Sequence, residues 1–171
     1  MRNIYIVGFM GTGKTAVGKV LSQRLKRQFI EMDDVIEQRQ AKKIVDIFAQ
    51  DGELYFRKLE KELLRELSAQ TDLIVSCGGG LICNDENLEL LKKTGVVINL
   101  KANPSTIYER TKKHASRPLL NVEDPLKSIE ALLAKRQHYY HQAHYSIETD
   151  DLLPDQIADK IIGILKKRER F

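Results

Sequence analysis

Gly8-Phe9-Met10-Gly11-Thr12-Gly13-Lys14-Thr15 satisfies G-x-x-x-x-G-K-[ST], the spacing of a phosphate-binding loop. The apolar run Ile4-Tyr5-Ile6-Val7 leads into it and Ala16-Val17-Gly18-Lys19-Val20-Leu21 leads out, so a strand passes into a helix across the glycines. Glycines let the backbone fold tightly with its N–H groups pointing inward, and the helix opening at Lys14 adds the positive end of its dipole. Such a cradle fits a polyphosphate. Its expected contacts are Gly11, Thr12, Gly13, Lys14, Thr15 and Ala16, with Lys14 reaching the terminal phosphates and the Thr15 hydroxyl taking one magnesium position. Without the flanking strand and helix, the same letters would fit a plain glycine-rich turn.

Outward from the loop, hydrophobic spacing predicts a helix over 14–27 and a short second strand over 29–32, with Asp33 and Asp34 at its end. Helices follow over 34–40, 45–49 and 53–69. Leu73-Ile74-Val75-Ser76-Cys77 reads as a third strand buried on both faces, and it runs into Gly78-Gly79-Gly80. Asn84 is placed to cap a helix over 85–94 that stops at Gly95, and 96–100 is a fourth strand. Asn103-Pro104 opens a helix to about 113, and 114–124 is a polar connection of the length usual for a lid. A helix over 125–143, a strand over 145–148 and a terminal helix from Pro154 to about 167 complete the chain. Strands alternating with helices point to a parallel sheet covered on both sides, whose ligands bind beyond the carboxyl ends of the strands. The loop, Asp33 and the glycine triplet all fall there.

The 171 residues are about the size of one domain, and 42% hydrophobic content is enough for a core. No apolar run approaches the length of a membrane span, and the chain enters strand one without a leader pattern. A cytoplasmic protein with no membrane partner is expected. Cys77 and Cys83 are too few and too oddly spaced for a disulfide framework or zinc cluster, and are read as packing residues. A net charge of +4 and a pI near 9.0 would permit nucleic acid, but 24 acidic residues are interspersed among 28 basic ones. Only Lys166-Lys167-Arg168-Glu169-Arg170 is a basic run, at a helix end where cations suit the dipole, so no nucleic-acid partner is expected. His138, His141 and His144 recur every three residues, whereas ligating pairs on a helix are better served by a spacing of four with an acid. Tyr139 and Tyr140 beside them are read as packing their helix onto the domain.

No guanine-reading N-K-x-D element is present in the sequence, and strand three ends in glycine where an ATPase motor usually carries an acid. Three residues without side chains let a substrate approach the backbone closely, and a proline-bounded lid would exclude water. These features suggest phosphoryl transfer to a small bound acceptor. Gly8 to Thr15, Asp33, Ile47-Phe48 through Asp51-Gly52-Glu53 to Phe56-Arg57 and Glu60, Gly78-Gly79-Gly80, Arg117-Pro118-Leu119 and Arg136 resemble shikimate kinase. They do so in that family's order and at compatible spacings, over nearly the whole chain.

The resemblance implies an α/β, three-layer αβα fold of the nucleoside-monophosphate-kinase-like P-loop class, with a five-stranded parallel sheet and a mobile lid. It implies one kinase domain, residues 1–171, with the lid over about 114–124 and acceptor-binding helices over about 33–60. A monomer is expected. The implied reaction is transfer of the γ-phosphoryl group of ATP, with magnesium, to the 3-hydroxyl of shikimate, on the way to chorismate and the aromatic amino acids. By match to the family, Asp33 orients or deprotonates the attacking hydroxyl, Arg57 and Arg136 grip the carboxylate, and Gly78, Gly79 and Gly80 line the acceptor pocket. Arg117 would stabilise charge on the transferring group, and Arg110 would lie against the adenine.

Taken alone, these residues leave alternatives open. Guanidinium groups suit a carboxylated acceptor because they bind it through two parallel hydrogen bonds. Yet Arg57 and Glu60 are also an i, i+3 pair that could be a helix-surface salt bridge, Arg136 beside Lys135 could lie on a solvated face, and Asp33 could be an N-cap. One departure from the family stands at Glu31, where an aspartate near magnesium through water is common; the extra methylene preserves or displaces that contact. Thr149-Asp150-Asp151 carries no readable adenine signature. The rival enzyme is a related small-molecule kinase such as gluconate kinase, which also acts on a hydroxylated carboxylate. A rival of another class is a nucleotide-dependent binding protein, against which the intact set Lys14, Asp33, Arg57, Arg117 and Arg136 speaks.

Overall fold

The fold was obtained as a computed structural model, which describes residues 2–112 and 123–168. Its centre is β1 (Asn3–Gly8), a strand buried along its whole length. The others are β2 (Gln28–Glu31), β3 (Leu73–Ser76), β4 (Gly95–Lys101) and β5 (Tyr145–Glu148). All neighbours pair in parallel, in the order β2-β3-β1-β4-β5. The alternation of β1 feeds two cores. Tyr5 and Val7 face one side with Val75, Val97, Leu63, Leu64 and Leu91, while Ile4 and Ile6 face the other with Ile74, Ile98, Val17, Leu21 and Ile161. Each such aliphatic side chain stabilises the fold by roughly 1.5–3 kcal/mol.

The first core is covered by α4 (Glu53–Ser68), α5 (Asp85–Thr94), α6 (Pro104–Thr111) and α7 (Pro125–Tyr140), the second by α1 (Lys14–Leu25) and α8 (Pro154–Arg168). Two further helices, α2 (Met32–Gln40) and α3 (Ile44–Gln50), lie between β2 and α4 in the chain. This is the expected three-layer sandwich. Because β3 and β4 flank β1 on opposite sides, a crevice opens beyond the carboxyl ends of β1 and β3.

Several boundaries differ from the sequence reading. Lys26 adopts a left-handed conformation with φ 54 and ends α1 before residue 27. Met32, fully buried, is the first residue of α2 rather than the last of β2, so Asp33 stands inside the first helical turn and Glu31 takes the cap position. A buried methionine serves either period; the β2–β3 pairing ends at Glu31 with Ser76, and Met32 opens the helix. Helix α7 stops at Tyr140 instead of 143, because turns from Gln142 to Tyr139 and from Ala143 to Tyr140 deliver the chain to β5. Asn84 caps α5 as expected, its side chain accepting from Asn87 N–H at 3.1 Å. The expected lid falls largely on 113–122, and with Arg117 it lies outside the described residues. Among the described residues, no helix is long and apolar enough to cross a membrane.

Candidate active site

The loop after β1 depends on glycine where it turns. Gly8 has φ +139, and a Cβ there would lie 2.3 Å from the Leu100 carbonyl oxygen of the neighbouring strand. Thr12 Oγ1 donates to the Phe9 carbonyl at 2.8 Å, tightening the bend. Lys14 Nζ donates to the carbonyls of Gly8 and Phe9, each at 3.0 Å, which holds a cation over the loop at the N-terminal end of α1. Thr15 Oγ1 donates to Glu31 Oε2 at 2.5 Å, so the longer acid reaches the loop's hydroxyl directly. Burial pushes the Glu31 carboxyl above its ordinary range, opposed by the bond from Thr15. A hydroxyl and a carboxylate, both hard oxygen donors, beside a cationic loop fit a magnesium-bound polyphosphate.

Beside the loop lies a cleft of about 520 Å³, lined by Lys14, Asp33, Arg57, Glu60, the glycine triplet and Arg136 among others. The triplet is where α2, α4 and α7 crowd the backbone. A Cβ on Gly78 would lie 2.3 Å from Glu60 Oε1 and 3.2 Å from Asp33 Oδ1, and one on Gly80 would lie 2.5 Å from Arg57 Nη2. Side chains there would fill the cleft or displace its charged groups. Arg57 is fixed from both ends of its fork: Nη1 donates to Glu60 Oε2 at 2.5 Å and Nη2 to Glu53 Oε1 at 3.0 Å, with the guanidinium 5.4 Å from the Phe56 ring centroid. The Arg57–Glu60 pair is therefore no surface salt bridge, since the Glu60 side chain is 1% exposed. Arg136 is not on a solvated face either; it is 8% exposed and sits over the Phe9 ring at 5.8 Å. Two arginines distant in sequence thus border one cleft.

Glu60 is the electrostatic pivot of that cleft. Its burial pushes the carboxyl up from 4.5 to about 7, against the pull of Arg57 and Arg136 and with the repulsion of Asp33. Because the folded value is raised, the native state binds the extra proton; this stability is fully present below about 4.5 and is lost as pH rises through about 7. At most it amounts to roughly 3 kcal/mol. Glu60→Gln, neutral at every pH, is expected to flatten the fall in melting temperature as pH rises from about 4.5 to about 7. A variant melting curve that falls as steeply as the wild type over that range would contradict the assignment.

Arg110 joins the loop to the segment after β5, donating to Gly11 O at 3.2 Å and to Thr149 O at 2.9 Å. The stretch without a readable signature, 149–151, is thereby placed at the loop's edge. Tyr140 does more than pack: its hydroxyl donates to Gly79 O at 2.6 Å. The available signal was its position one turn after Arg136. Two of the histidines serve separate ends, His144 Nδ1 accepting Val97 N–H at 3.0 Å and the His138 ring lying tilted at 43° to that of Tyr139, with centroids 4.0 Å apart. Cys77 is fully buried in the core, and burial pushes its thiol up.

The family model for shikimate kinase matches residues 10–166. The shikimate kinase of Thermodesulfovibrio yellowstonii is 42% identical over 171 residues, covering 100% of this chain and 97% of that protein. The solved shikimate kinase from Acinetobacter baumannii in complex with shikimate superposes with a TM-score of 0.95 at 38% identity, covering 98% of this chain and 94% of that one. A gluconokinase from Sinorhizobium meliloti superposes with a TM-score of 0.64 at 15% identity, covering 97% and 92%. At that identity the likeness shows the fold alone.

Proposed function

The chain belongs to the shikimate kinase family, and from that premise we propose how its residues divide the transfer of the γ-phosphoryl group of ATP to the 3-hydroxyl of shikimate. The observation that carries the division is the single cleft bordered by Lys14, Asp33, Arg57 and Arg136, which come from four segments of the chain. Magnesium-bound ATP supplies the electrophilic phosphorus. Lys14 and the N-terminus of α1 neutralise charge on the phosphates, with Gly11, Thr12, Gly13 and Ala16 lining their bed and Arg110 at the adenine side. Thr15 would hold the metal, with Glu31 behind it through the Thr15 hydroxyl.

Arg57 and Arg136 hold the acceptor's carboxylate, and the backbone at Gly78, Gly79 and Gly80 carries its ring. Asp33 takes the proton of the attacking hydroxyl as the new oxygen–phosphorus bond forms and the bond to the ADP oxygen breaks. Arg117, by family match, stabilises the transferring group from the lid over about 114–124. We further propose a single kinase domain acting as a cytoplasmic monomer without a nucleic-acid partner. The last of these is supported by exposed cations that pair with acids, as Arg39 does with Glu66 and Lys43 with Glu37.

The clamp is tested by Arg136→Lys, which keeps the charge but loses the two parallel bonds. The expected outcome is a rise in shikimate KM on the order of tenfold or more, with kcat changed far less. A decarboxylated analogue should hardly distinguish variant from wild type, because the interaction is already missing. Equal losses on both acceptors would remove Arg136 from the clamp.

A further inference from the structure

Gly78, Gly79 and Gly80 line the acceptor cleft, and their carbonyls are held differently. Gly78 O accepts from Leu81 N–H and Gly80 O from Cys83 N–H, each at 3.1 Å, which are local turns. Gly79 O accepts instead from Tyr140, 61 residues away, at 2.6 Å. The Gly79 peptide also lies between the two halves of the site: a Cβ on Gly79 would stand 3.5 Å from Gly8 O, 3.6 Å from Met10 N and 3.5 Å from Arg136 Nη1. Tyr140 is 5% exposed, and burial raises its phenol above the ordinary value, so the hydroxyl remains a donor at neutral pH.

We propose that Tyr140 is a positioning residue for the transfer, its hydroxyl pinning the Gly79 peptide between the phosphate loop and Arg136 so that acceptor and phosphoryl group keep their spacing. Arg136 and Tyr140 occupy successive turns of α7. One helix therefore supplies both a carboxylate contact and the anchor of the backbone opposite it. The inference rests on the reading of Gly79 and Arg136 as acceptor contacts, and it adds a residue that touches neither reactant.

The test is steady-state kinetics of Tyr140→Phe, Arg136→Lys and the double variant, with melting temperatures. Tyr140→Phe is expected to raise the shikimate KM about tenfold and leave the ATP KM within about twofold. A purely structural role would lower the melting temperature and the active fraction, and so kcat, without moving the acceptor KM of the enzyme that remains folded. That result would overturn the proposal. In the double variant the acceptor losses should be less than additive, since both changes loosen one contact surface; full additivity would also overturn it. If Arg136→Lys alone leaves the acceptor KM unchanged, the underlying clamp fails instead, which separates the two failures. Should Tyr140→Phe not fold, 3-fluorotyrosine at the same position keeps the shape and alters donor strength. It is expected to shift the acceptor KM by about twofold or more with the ATP KM constant, and an unshifted value would refute the role.

Discussion

Lys14→Ala is expected to fold and to lose phosphoryl transfer by roughly a hundredfold to a thousandfold. The ammonium lies 3.0 Å from the carbonyls of Gly8 and Phe9, and Lys14 lines the cleft. On the proposed division of roles, its removal deletes the cation that would meet charge developing on the β and γ phosphates. The fold should survive because the loop is shaped by its own backbone and by the Thr12 bond to Phe9, neither of which needs Lys14. The check is kcat at saturating substrates alongside the melting temperature. Turnover near the wild type would reject the loop's role, and a collapsed melting temperature would assign Lys14 to the fold rather than to the chemistry.

Asp33→Asn should be comparably severe in kcat, by roughly a hundredfold or more, while shikimate still binds. Asparagine keeps the size and one acceptor oxygen but cannot take a proton. Asp33 Oδ1 is buried near the Glu60 carboxyl, and a Cβ on Gly78 would stand 3.2 Å from it. Shikimate affinity by calorimetry should change far less than kcat. Unimpaired turnover would strike Asp33 from the reacting groups, and a loss confined to affinity would make it a binding residue only.

Much of this site was legible because its residues sit where topology forces convergence. A phosphate loop after β1, an acid after β2 and glycines after β3 must meet at one end of a parallel sheet, whatever fills the rest. Residues on helices were harder to place. Arg57 with Glu60 and Arg136 beside Lys135 have the spacing of ordinary solvated faces, and only the packing of α4 and α7 onto the cleft buries Glu60 to 1% and Arg136 to 8% exposure. Period alone does not say which face of a helix meets the core's edge. Asp33 moved from a strand end into a helical turn because buried Met32 suits either element. The Tyr140 bond to Gly79 spans 61 residues, and no local pattern encodes it beyond the one-turn spacing from Arg136.

The most direct test of the whole reading is the fate of phosphorus when the enzyme, ATP and magnesium are mixed with shikimate, with gluconate or with no acceptor. Phosphorus NMR should show shikimate 3-phosphate appearing in step with ADP, and little ADP in the other two mixtures, since on the proposed division of roles water lacks the carboxylate that Arg57 and Arg136 would hold and gluconate lacks the ring that the glycine backbone would carry. ADP formed at equal rates in all three mixtures, or a phosphorylated gluconate formed as fast as the shikimate ester, would contradict it.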